Sequence, residues 1–172
     1  MKPHFAELGP SQALQAAIAI ERRNTELYRN LAGLFQSYDG KLGEIFTSMA
    51  DEETAHRLEL EAYLQQKFPG QRPTGDADPG IDEVVEAPDL DEPEVFIFDN
   101  VSVEEAIEMA ERAEARACVF YPKMAQQASD AGLRALCQHM AEVEAQHKET
   151  FVRWKSFGIE AQPKRTPAKG TL

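Results

Sequence analysis

A chain of 172 residues is long enough for one domain with a substantial core, and 42% hydrophobic with 28% charged residues is the composition of an ordinary soluble globular protein. Its 30 acidic residues against 18 basic ones give a net charge of -12, which repels nucleic acid phosphates and anionic lipid headgroups and excludes both as partners. Cys118 and Cys137 are its only cysteines and form no CxxC pair, so a disulfide framework, a thiolate zinc site and a rubredoxin-type iron site are all excluded.

The chain opens on residues 1–10, an N-terminal segment whose Met1 to Glu7 lacks the apolar core of a signal peptide. No stretch approaches the roughly 18 apolar residues of a membrane span, and the expected location is the cytoplasm. Helical periodicity then runs from about Ser11 to Gln36, with Leu14, Ala17, Ile18, Glu21, Tyr28, Leu31 and Phe35 on one stripe. After a turn at Tyr38, Asp39 and Gly40, a second helix is expected to continue to about Lys67 through Leu42, Phe46, Met49, Glu53, His56, Leu60 and Leu64. Residues 68–101 break the pattern with five prolines (Pro69, Pro73, Pro79, Pro88 and Pro93) and a dense run of acids, and read as a crossover. Within it Val95 to Phe98 is apolar and is expected to pack on its own bundle, with a neighbouring subunit as the alternative. A third helix opens with a capping box, Ser102 and Glu105, and carries Ile107, Ala110, Glu114, Cys118, Tyr121 and Met124. Past a turn at Ser129 and Asp130, the fourth carries Leu133, Leu136, Cys137, Met140, Glu144, His147, Phe151 and Trp154. The expected domain spans 11–156, an all-α bundle of two helical hairpins joined by a long crossover. Residues 157–172 read as a mobile basic tail.

The two hairpins repeat each other. In the first helix of each pair a shift of 93 positions matches Ala17 to Ala110, Glu21 to Glu114 and Tyr28 to Tyr121. In the second, a shift of 91 matches Asp39 to Asp130, Met49 to Met140, Glu53 to Glu144 and His56 to His147. The repeat thus contains two copies of Glu-x-x-His, a spacing that puts a carboxylate and an imidazole on one helix face. At about 1.5 Å of rise per residue, Glu21 and Glu53 both lie about 23 Å from their shared turn, and Glu114 and Glu144 about 22 Å from theirs. Hairpins packed face to face bring four carboxylates and two imidazoles together at mid-bundle.

Four glutamates in an apolar core are untenable without counter-charge, because an isolated buried charge costs several kcal/mol even after relaxation. No lysine or arginine occupies these stripes beside them, which leaves metal ions. Two divalent ions offset four carboxylates, and a mixed carboxylate and imidazole shell without thiolate suits iron or manganese. Tyr28 and Tyr121 read either as core aromatics or as donors to a liganding carboxylate. Cys118 and Cys137 read as small core residues, and His4 and His139 as solvent-facing.

These residues resemble the ferritin-like superfamily, and most closely the rubrerythrin-like di-iron carboxylate proteins, over roughly 11–67 and 102–156. The resemblance rests on the paired glutamate plus Glu-x-x-His pattern and on Tyr121 followed by Pro122. It implies a ferritin-like four-helix bundle holding two iron ions, with manganese or a mixed pair as the variant. Glu53 and Glu144 would bridge, Glu21 and His56 would complete one ion, and Glu114 and His147 the other. It implies a redox protein that reduces peroxide or dioxygen; the alternatives are a ferroxidase for iron storage or delivery and a bundle with purely structural metal. A short basic tail stands where rubrerythrins usually carry a rubredoxin domain, so the electron donor would be a separate molecule such as a rubredoxin or a flavin reductase. Rubrerythrins also place a further glutamate about one turn after the third-helix ligand, where Arg116 and Ala117 stand here; Glu111, one turn before, is the candidate substitute. A homodimer is the expected assembly, with helix exchange between chains permitted by the long crossover.

Overall fold

A computed structural model describes residues 8–37, 39–73 and 101–157, which fold into four long helices. These are α1 (Pro10–Phe35), α2 (Gly40–Lys67), α3 (Val103–Gln127) and α4 (Ala131–Phe157). All four fall within a residue or two of the segments expected from periodicity. The apolar Val95 to Phe98, His4 and the basic tail beyond Phe157 lie outside the described residues.

Local chemistry starts each helix. Pro10 at the first position has a φ already suited to a helix, and the Gly9 N–H before it donates to Gln12 Oε1 at 3.0 Å. Asp39 caps α2 by accepting from the Leu42 N–H at 3.1 Å. The capping box of α3 forms as expected: Glu105 N–H donates to Ser102 Oγ at 3.2 Å, and Ser102 N–H to Glu105 Oε2 at 2.8 Å. Asp130 caps α4 through the Leu133 N–H at 2.9 Å. The same carboxylate accepts from the Tyr63 hydroxyl and from Lys67 Nζ at 2.9 Å, which ties the end of α2 to the α3–α4 turn. Gly132 permits that approach, since a Cβ there would lie 2.7 Å from the Tyr63 hydroxyl oxygen.

α1 packs against α2 and α3 against α4, as two hairpins, and α1 meets α3 across the bundle. The result is a ferritin-like four-helix bundle. Its core divides into two apolar layers. One holds Leu14, Ile18, Leu60, Leu64, Tyr121, Met124, Cys137 and Met140. The other holds Tyr28, Phe35, Phe46, Ala110, Phe151 and Trp154. On every helix the level between the layers is marked by a glutamate: Glu21 between Ile20 and Leu27, Glu53 between Ala50 and Leu60, Glu114 between Ala113 and Ala117, and Glu144 between Met140 and Phe151. Apolar burial, at about 1.5–3 kcal/mol per large side chain, therefore holds a polar layer closed from above and below.

Candidate metal centre

The four glutamates have no solvent exposure. His56 and His147 reach the same level from α2 and α4, with side chains 13% and 10% exposed. Nδ1 of His56 lies 3.4 Å from Glu144 Oε1, 3.5 Å from Glu53 Oε2 and 3.7 Å from Glu21 Oε2. Nδ1 of His147 lies 3.2 Å from Glu53 Oε1, 3.6 Å from Glu114 Oε2 and 3.9 Å from Glu144 Oε2. The two rings stack with centroids 5.9 Å apart.

Two groups of converging atoms result. One draws on Glu21, Glu53, His56 and Glu144, the other on Glu53, Glu114, Glu144 and His147, and within each group one ligand atom per residue lies within 4.8 Å of the others. Glu53 and Glu144 belong to both. Despite this crowding, eight of the atoms have no hydrogen-bond partner: Oε2 of Glu21, both carboxylate oxygens of Glu53, Nδ1 of His56, Oε2 of Glu114, both oxygens of Glu144 and Nδ1 of His147. Buried polar groups in folded proteins are nearly always paired, and eight orphaned polar atoms at one level, six of them carboxylate oxygens, fit a place for cations. Two Glu/His clusters of this kind fit a dimetal site.

The phenols complete the layer. Tyr28 donates to Glu114 Oε1, and Tyr121 donates to Glu21 Oε1. Each bond runs between hairpins, from α1 to α3 and from α3 to α1. Both rings are fully buried, and both hydroxyls donate to a carboxylate of the layer. Burial, and then the carboxylates beside them, hold both phenols well above their ordinary pKa, so both keep their protons.

In the metal-free protein the layer is electrostatically uneven. Burial, together with the charge of Glu53, pushes Glu21 up to about 8. Burial also raises Glu144 well above the usual carboxylate range. Burial acts in the same sense on Glu53, but the imidazoles of His147 and His56 overcome it and hold that carboxyl low. Burial would lower His56, yet Glu144, Glu21 and Glu53 raise it to about 12, and His147 is raised for the same reason by Glu114, Glu52 and Glu53. The raised groups, Glu21, Glu144 and both imidazoles, thus favour their protonated forms where no cation is present.

Other residues fall where the layer is not. Glu111 is partly exposed and faces Lys155 Nζ at 3.5 Å, outside both groups. Cys137 is buried among apolar side chains, where burial lifts its thiol to about 12, and Cys118 is half-buried; both are free thiols. His139 is exposed. One residue of the site was missed from sequence. Glu52 sits 3.3 Å from Nε2 of His147, the ring nitrogen other than the one beside Glu53, Glu114 and Glu144. Its position directly before Glu53 was the only available signal, and adjacent helix residues do not share a face.

None of the described helices is long and apolar enough to cross a membrane. Among curated proteins none matches the chain. A solved structure of a hypothetical protein from Pyrococcus furiosus is similar in fold, with a TM-score of 0.67 and 23% identity over 93% of this chain and 96% of that one. The family model described as Rubrerythrin matches residues 12–155. That span contains all four carboxylates, both imidazoles and both tyrosines of the buried layer, and the chain accordingly belongs to the rubrerythrin family.

Proposed function

We propose that the protein holds two iron ions, one in each Glu/His cluster, and is a redox protein that reduces peroxide or dioxygen. The observation that carries this reading is the set of eight buried, unpartnered polar atoms drawn from four carboxylates and two imidazoles. Two divalent cations would neutralise the four carboxylates, and the donor set, hard oxygen with imidazole nitrogen and no thiolate, suits iron, with manganese as the substitute in one or both positions. Bound ferrous iron supplies one electron per ion to an oxidant.

The chain's own groups divide the work. Glu53 and Glu144, with both oxygens free of hydrogen bonds and membership in both clusters, would bridge the two ions. Glu21 and Glu114 each have one oxygen held by a phenol and the other free, which suits a terminal ligand. His56 completes the first cluster and His147 the second, each through Nδ1. The apolar layers above and below exclude water, so charge interactions within the site are strong. Because exposure is confined to the imidazoles on α2 and α4, a small oxidant reaches the layer from that side.

A separate carrier, a rubredoxin or a flavin reductase, would return the electrons. The two free thiols suit a reducing compartment, and we infer a cytoplasmic homodimer. One observation favours the second reading, iron oxidation for storage or delivery. The level one turn beyond Glu114 holds the buried Ala117, and Glu111 is engaged by Lys155, so neither supplies the further carboxylate of rubrerythrins.

Elemental analysis of anaerobically purified protein, followed by rapid mixing of the ferrous-loaded chain with hydrogen peroxide or oxygen, tests the proposal. Two irons per chain that oxidise faster than free ferrous ion support it. Bound metal that is inert to both oxidants, in a protein that unfolds on chelation, would assign the metal a structural role instead.

A further inference from the structure

The internal repeat is broken at one position that touches the site. In α2 and α4 the shift of 91 that matches Glu53 to Glu144 and His56 to His147 matches Glu52 to Val143. Glu52 Oε2 lies 3.3 Å from Nε2 of His147, across the bundle from α2 to α4, while its Oε1 accepts from the Ser48 hydroxyl at 3.4 Å. The corresponding partner for His56 would come from Val143, whose side chain has no polar atom. Among the described residues, only His147 of the pair is therefore backed by a carboxylate of this kind.

From this asymmetry, and resting on the dimetal reading above, we infer that the two metal positions are inequivalent. Glu52 is a positioning residue that makes the His147 position the tighter of the two. The physical reason lies in the ring. A carboxylate that accepts from Nε2–H fixes the imidazole as the tautomer whose Nδ1 lone pair faces the cluster. It also fixes the ring's orientation and makes Nδ1 a better donor. His56, for which the repeat puts Val143 at the matching position, has only its Nδ1 neighbours Glu144, Glu53 and Glu21 among the described residues. Partners of this type are worth about 10–100-fold in metal affinity.

The test is anaerobic titration calorimetry of the chelated full-length chain with ferrous ion, on wild type, Glu52→Ala, Glu52→Gln and Val143→Glu. Wild type is expected to bind two equivalents in two steps at least about tenfold apart. Glu52→Ala should weaken the tighter step alone by about 10–100-fold, and Glu52→Gln, which retains an acceptor, should restore part of it. Val143→Glu keeps Glu52 in place and should tighten the weaker step, which keeps the inference testable if Glu52→Ala fails to fold. Nitrogen-15 NMR of the imidazoles adds a reading independent of affinity: an Nε2–H signal for His147 protected from exchange in wild type and lost in Glu52→Ala. Two equal steps in wild type, or equal loss from both steps in Glu52→Ala, would overturn the inequivalence while leaving the dimetal reading intact. Absence of any binding in wild type would overturn both.

Discussion

Tyr28 on α1 donates its phenol proton to Glu114 on α3, the glutamate of the opposite hairpin, although Glu21 lies two turns away on its own helix. Tyr121 returns the bond to Glu21. The pair couples hairpin docking to carboxylate orientation, because the bonds that lock the hairpins together also decide which oxygen of Glu114 and of Glu21 faces the clusters.

Tyr28→Phe keeps the ring that stacks at 6.1 Å on Phe46 and at 6.0 Å on Phe151, and removes only the hydroxyl. A hydrogen bond to a charged group is worth about 1.5–3 kcal/mol, so the variant should lose stability of that order in urea unfolding. Metal affinity should fall by about tenfold or more, because Glu114 loses the contact that orients it. Unchanged stability and unchanged metal content together would reduce Tyr28 to a core aromatic.

Bridging and terminal carboxylates should separate by stoichiometry. Glu53→Ala and Glu144→Ala each remove a residue common to both clusters and are expected to lose both metals. Glu21→Ala and Glu114→Ala remove a residue of one cluster and should retain about one equivalent by elemental analysis of purified protein. A Glu53→Ala protein that still holds two ions would show the bridging assignment to be wrong.

The metal-free chain should lose stability as pH rises. Glu21 is raised from 4.5 to about 8, so the folded state binds more protons than the unfolded chain across that window, and stability declines through it. His56, raised from 6.5 to about 12, acts in the same sense: its contribution is complete below 6.5 and is lost as pH climbs toward 12. Glu53 acts oppositely, since a lowered carboxyl contributes stability above 4.5 that disappears in acid. Melting temperatures taken with chelator should therefore fall between pH 5 and pH 8, whereas the metal-loaded protein, in which cations displace these protons, should not follow that decline. A flat profile with chelator would mean that the protons are not where the electrostatics put them.

Glu111→Ala should leave metal content and the rate of ferrous oxidation within about twofold of wild type, since the side chain serves a partly exposed ion pair with Lys155, a kind of contact worth little. Loss of an iron in this variant would make Glu111 a ligand after all.

Much of this architecture was legible in the sequence because helices announce themselves locally. Apolar recurrence, the Ser102 and Glu105 capping box and the two Glu-x-x-His copies all depend on spacing within one helix, and counting residues from each turn sufficed to bring Glu21 level with Glu53 and Glu114 with Glu144. What crosses between helices was beyond that counting. Nothing in the spacing of Tyr28 says that its hydroxyl passes over Glu21 to reach Glu114, that Glu52 leaves the face of Glu53 to meet His147, or that Glu111 turns outward to Lys155. Periodicity sets the angular phase of a side chain on its own helix, but the neighbour it meets depends on how four helices dock, and that is decided by the packing of the two apolar layers, a property of the whole bundle and of no single segment.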